Sequence, residues 1–276
     1  MKKKLFRIGL ALAALSVTVI VLGYAAANWW GALVWAETEA RLQALGEPLT
    51  VAEIQPTPIP DELNFAAAPV FAELFTKPRA DWRLDEIESF RGGFQPKYSH
   101  LVNFAREVDE SFDGSESEAA QVVLDVAARE KPIWDDVRAA ALRPGTVWPV
   151  DYSEGFAMGI PQVSIMITLA QGLDAQARAK LELGDSNGAA RDVELTLNLA
   201  DRNRDPLVLI SLLVRESLVA MAIQTISAGI EMGGWSEAEL SRFQRLLAEI
   251  HLTVEMQQTL RGERVSSLLE MARLDA

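Results

Sequence analysis

Apolar and polar positions in this chain repeat with the period of a helix, and nowhere do they alternate as a bounded run of Val, Ile and Thr would in a strand. The first pattern is a solid block. Ile8 to Ala27 carries no charge, and its small polar side chains are Ser16 and Thr18. As a helix rising 1.5 Å per residue, the block would be roughly 30 Å long, the thickness of a bilayer core. Trp29, Trp30 and Trp35 follow where an aromatic belt would sit at the interface. Residues 28–46 continue as a juxtamembrane helix that stops at Gly46. Pro48, Pro56, Pro58 and Pro60 then predict an extended linker, because each disfavours helix at the residue before it. Three segments result: 1–27, a basic tip and transmembrane helix; 28–60, juxtamembrane helix and linker; and 61–276, an α-helical domain.

Within 61–276 the pattern predicts a series of helices. Asp61 to Phe75 is a short one in which Pro69 marks a kink or the true start. Residues 76–114 are broken by Gly92-Gly93, with Leu101 to Val108 weakly helical. Ser115-Glu116-Ser117-Glu118 and Ser236-Glu237-Ala238-Glu239 are capping boxes, each opening a helix. Pro132 suits a first helical turn, and that helix ends before Pro144-Gly145. Further helices run from Pro161 to Leu183, over 189–204, from Asp205-Pro206 to Gly233-Gly234, and from Thr253 to Leu274. Leu212 and Leu213 are expected in the packed centre of the very apolar one after Pro206. The expected fold is all-α: one transmembrane helix, then antiparallel helical hairpins.

The stretch from Ala177 to Pro206 resembles a tetratricopeptide-type hairpin. Leu183-Gly184-Asp185 forms its turn, Ala189 and Ala190 let its helices approach closely, and Pro206 closes it. The match covers one repeat of about 34 residues, without a second copy at that period and without the family's aromatic positions. Overall the chain resembles bacterial single-anchor membrane proteins with a tetratricopeptide-repeat-like ectodomain. That resemblance implies an architecture and no activity.

Charge adds direction. The chain has 26 Lys+Arg against 39 Asp+Glu, yet Lys2, Lys3, Lys4 and Arg7 are the only charges before Glu37. A basic tip before the apolar block keeps the N-terminus in the cytoplasm and exports the rest, from the inner membrane of a bacterium. A cleaved signal peptide ending at Ala25-Ala26-Ala27 exports the same domain, although signal h-regions are usually shorter, about 7–15 residues. Net charge −13 excludes phosphate-backbone binding, so no nucleic-acid partner is expected. Zero cysteine excludes disulfides, acylation at a lipobox, iron–sulfur clusters and thiol nucleophiles.

Few residues are candidates for chemistry. Arg215 and Glu216 interrupt the apolar stretch after Pro206, where each would cost roughly 2.5–3.5 kcal/mol at a bilayer centre. They are expected on a buried core helix, with Arg261, Glu263 and Arg264 on the last helix as partners of both signs. An arginine–carboxylate ligand site there is the functional alternative. His251 and Glu255 are spaced i,i+4 but lack a third metal ligand; the expected reading is an exposed or capping histidine, with no metal and no cofactor. His100 stands alone, and no P-loop, GxGxxG or G-x-S-x-G occurs. The loop over 144–160 is richest. Trp148, Tyr152 and Phe156 are binding candidates, with Trp148 and Phe156 expected to tuck inward as its two anchors. Asp151 and Glu154 are the weak catalytic candidates, since paired carboxylates beside aromatics can hydrolyse glycans. Three functions follow: a non-catalytic envelope protein binding a protein partner or envelope component, a glycan or peptide hydrolase using that loop, or a structural subunit of a membrane assembly.

Overall fold

The computed structural model describes residues 2–87 and 101–274; Gly92-Gly93 and Tyr98-Ser99-His100 lie outside them. The chain divides into two compact units, Met1–Leu49 and Thr50–Ala276.

The first unit is a single helix, α1, Lys2–Ala44, of 43 residues and roughly 65 Å. The membrane block and the juxtamembrane helix are therefore continuous, since no proline or glycine pair interrupts them. Its two threonine hydroxyls close on their own backbone, Thr18 Oγ1 donating to Ala14 O at 2.9 Å and Thr38 Oγ1 to Val34 O at 2.8 Å. Gly46 ends it with φ +69, while Glu47 N donates back to Leu42 O at 3.0 Å. None of its apolar span is buried, which leaves a helix long and apolar enough to serve as a membrane anchor.

The second unit is all-helical, with no strand among its described residues and one isolated bridge between Asn64 and Gly145. The stretch expected as linker already belongs to it in part. Val51–Ile54 forms a short helix, α2, whose Val51 and Ile54 pack against Tyr152, Met158 and Val208. After two 3₁₀ turns, α3 runs Pro69–Thr76, so Pro69 marks a start rather than a kink. Then come α4 (Leu101–Val108), α5 (Glu116–Arg129) and α6 (Lys131–Ala141). The series continues with α7 (Gln162–Glu182), α8 (Ser186–Arg202), α9 (Leu209–Glu231), α10 (Glu237–Ala248) and α11 (Leu252–Leu274). Both capping boxes form, Ser115 with Glu118 and Ser236 with Glu239.

The centre is α7, packed against α5, α8 and α9. Ile165, Met166, Leu169 and Leu173 fill its core face, while Ala170, Ala177 and Ala179 let neighbours come close. Gly184, at φ +81, turns the chain, and Asp185 caps α8 by accepting from Gly188 N at 2.8 Å. Ala189 and Ala190 are then fully buried. α10 rests on α8, and α11 crosses α9. Just before α9 the chain passes close to α11: a side chain at Gly262 would collide with the Leu207 carbonyl.

α9 is a core helix by one face only. Leu212 is 4% exposed whereas Leu213 is 46% exposed, which corrects the expectation that both are central. The buried face runs through Ser211, Leu212, Arg215, Leu218, Val219 and Ala222, and Leu213, a further 100° around the helix from Leu212, falls on the opposite side.

Candidate functional site

Two regions gather the candidate residues: the loop over 144–160, and the end of α8 where it meets α9 and α11. The loop is tied at its start. Gly145 exchanges backbone hydrogen bonds with Leu63 and Phe65, at 2.9 and 2.8 Å. The Asn64 side chain clasps Val147, accepting from its N–H at 2.9 Å and donating to its carbonyl at 3.0 Å. Trp148 is 1% exposed. Its indole donates to Arg202 O at 2.9 Å and meets Phe65 and Phe71 edge-on, with ring centroids 5.9 and 6.0 Å away. Trp148 is thus the expected anchor.

Phe156 is not. It is 56% exposed, and the second foot of the loop is Tyr152, buried and donating its hydroxyl to Asp205 just before α9. The physical reason lies between them. Asp151 caps a 3₁₀ turn over Tyr152–Ala157, and Gly155 then takes φ +57, ψ −127, which redirects the chain outward. Burial raises the Tyr152 hydroxyl's pKa, assisted by the Asp205 charge. Burial likewise raises the Asp205 carboxyl, against the hydrogen bond from Tyr152.

The two catalytic candidates are arranged as turn residues. Asp151 accepts from the Ser153 hydroxyl at 2.6 Å and from Ser153 N at 2.9 Å, and these bonds lower its pKa. A general acid needs a shift in the other direction. Glu154 is exposed, and Arg273 of α11 donates to its backbone carbonyl and to that of Ser153.

At the second region Arg215 is 2% exposed. Its Nε and Nη2 donate to the two oxygens of Glu255 at 2.6 and 2.9 Å, a bidentate pair, and Asp201 lies 3.8 Å from Nη1. Arg204 bridges the same acids, 2.7 Å from Asp201 and 3.7 Å from Glu255. The partners expected at 261–264 are therefore replaced by Glu255, about two turns toward the N-terminal end of α11. Glu263 instead accepts from Leu209 N at 2.6 Å and covers the start of α9. Arg261 is exposed and Arg264 half-buried on α11. Glu216 is half-buried, with no hydrogen-bond or ion-pair partner among the described residues. His251 is exposed, and its carbonyl accepts from Val254 N and Glu255 N at the start of α11. Since Glu255 turns to Arg215, the spacing of His251 and Glu255 makes no ligand pair. No group of three His, Asp or Glu side chains fit for a metal occurs among the described residues.

Sequence reading missed Asp192, 2% exposed on α8, held by Lys180 and by Arg138 at 3.4 Å. Burial raises its pKa, offset in part by these cations. Arg138 is 54 positions away, so no local spacing announces the triad.

Two clefts of the second unit are lined mostly by apolar side chains. Phe156, Met158 and Ile160 face Leu209, Ile210 and Leu213 across a cleft of about 370 Å³ whose wall includes Glu263. A second cleft, about 450 Å³, lies between Val219 and Ile223 of α9 and Ile250, Leu252 and Val254 around the start of α11. Compared with known proteins, the chain matches no family model, no curated relative and no solved structure.

Proposed function

We propose that this chain is a bacterial inner-membrane protein, anchored once by residues 8–27, with its N-terminus in the cytoplasm. Its helical domain lies outside the membrane on the far side and binds a protein partner or envelope component without catalysis. The basic tip before α1 supports the orientation, by the bias of Lys and Arg toward the cytoplasmic side. The α7–α8 turn supports an arrangement of antiparallel hairpins like that of tetratricopeptide repeats, through Gly184, the Asp185 cap and the buried Ala189 and Ala190.

The observation that carries binding is the cleft of Phe156, Leu209, Ile210 and Leu213. Four large apolar side chains, each 40% exposed or more, converge there. Clustered apolar exposure of this kind marks interaction sites. The carboxylate in its wall, Glu263, is held at the start of α9, and that of Asp151 in the same loop is held in a turn.

The test is photo-crosslinking in cells, with a photoreactive phenylalanine in place of Phe156. Leu142, 85% exposed at the end of α6, serves as control. A discrete adduct from position 156 and none from 142 is expected. Equal labelling at both positions would overturn the reading. So would hydrolysis of peptidoglycan fragments that Asp151→Asn or Glu154→Gln abolishes, since the loop would then be catalytic.

A further inference from the structure

The exposed face of α9 is longer than the Phe156 cleft. Leu209, Leu213, Glu216, Ala220, Ile223, Ser227 and Ile230 follow one another by alternating steps of four and three, the spacing of a coiled-coil seam. All but the half-buried Glu216 are exposed. From Leu209 to Ile230 the stripe is roughly 32 Å long. Two apolar clefts open along it, one beside Leu209 and Leu213 and the other beside Ile223. Ala220 between them and Ser227 beyond Ile223 are small enough for another backbone to come near.

The charges on this helix select the occupant. Arg215, the only basic residue of α9, is buried against Glu255. The acidic residues are Glu216 within the stripe and the exposed Glu231 at its end. The whole unit from Thr50 carries 21 Lys+Arg against 36 Asp+Glu. A second copy of α9 would bring its own carboxylates to this acidic helix, and an anionic lipid surface would be repelled as well. A cation opposite Glu216 would supply the partner this side chain lacks, and a single polar pair within an apolar seam fixes register.

We propose that the α9 stripe seats an amphipathic helix of a partner protein, with apolar side chains in the two clefts and a Lys or Arg against Glu216. This rests on the partner-binding reading above and names the chemistry of the partner.

The experiment uses the full-length chain in phosphatidylcholine nanodiscs and two fluorescent 21-residue helical peptides. Both carry Leu at the seam positions; one has Lys at the central seam position and the other Glu. The Lys peptide is expected to bind, the Glu peptide about tenfold more weakly, and Glu216→Lys to reverse the order. Reversal also shows that the variant is folded. Absence of binding, or an order unchanged in Glu216→Lys, overturns the proposal. So does self-association of the detergent-solubilised chain that Ile223→Glu abolishes, which would make a second copy the occupant. Quenching of a fluorophore on Ile223→Cys by doxyl-labelled lipid would make it the bilayer; the chain has no native cysteine to confuse the label. If position 156 crosslinks to a protein in cells while neither peptide binds, partner binding stands and only the basic helix falls.

Discussion

Two helices of this chain, α1 and α9, are long and apolar enough to cross a bilayer, and they are opposites in every other respect. The apolar span of α1 has no charged residue, and none of it is buried. α9 is half buried and carries Arg215 in its second turn, in a bidentate pair with Glu255. In a bilayer that arginine would lack water and a committed partner, whereas in the second unit it has two carboxylates within 4 Å. The difference teaches that length and apolarity nominate a span, and that the partner of one charge decides between membrane and core.

The largest effect separates the two helices outright. The full-length protein should stay in the membrane pellet through high-salt and carbonate washes. A chain lacking residues 1–27 should be soluble, with α9 unchanged. Recovery of a natural soluble form beginning at Asn28 would turn α1 into a cleaved leader, and retention of the shortened chain in the pellet would make α9 a second anchor.

Next comes the pair itself. Removing one partner from a buried ion pair costs about 3–5 kcal/mol, because the other charge remains buried and uncompensated. Arg215→Met should therefore lower the urea midpoint sharply, and Arg215→Met with Glu255→Leu should recover much of the loss. A single variant as stable as the parent would mean that the pair is not buried, and the comparison with α1 would fail.

A smaller difference maps the two faces of α9. Leu212→Ala should cost about 2–5 kcal/mol and Leu213→Ala within about 0.5 kcal/mol, the usual range for a surface change. Equal losses, read from thermal unfolding, would show α9 surrounded on all sides.

The leucine pair also shows how far a sequence reading reaches. Helix ends were legible where local chemistry marks them. The boxes at Ser115 and Ser236 form as expected, and Pro69 and Pro132 stand in first turns. The faces of α9 were not legible, because its exposed side is nearly as apolar as its buried one and the helical period then points nowhere. In the loop, Trp148 and Phe156 look alike in sequence. Their fates part at Asp151 and Gly155, whose backbone conformations set the turn. Long-range partners were least visible. Tyr152 finds Asp205 at 53 positions, and Arg215 finds Glu255 at 40. Such pairs are chosen by the packing of helices, after the local rules have acted.

The smallest effect concerns where α9 begins. Tyr152 holds Asp205 four residues before Leu209, and the half-buried Asp205 carboxyl has its pKa raised by burial. An acid whose folded pKa lies above its unfolded value binds its proton more tightly when folded. Its contribution to stability is therefore fully present below the unfolded pKa and declines as pH rises through the folded one. Asp151, three residues before Glu154 in the same loop, has the opposite shift, so its contribution is lost as pH falls. Asp205→Asn should consequently remove a decline in stability above the ordinary carboxylate range and leave the acid limb intact. Asp151→Asn should soften the acid limb and leave the rest. Urea unfolding at a series of pH values reads both. If Asp205→Asn left the pH profile unchanged, Asp205 would be as well hydrated folded as unfolded. The start of α9 would then be a frayed end open to solvent, and the core-helix half of the comparison would begin only at Leu212.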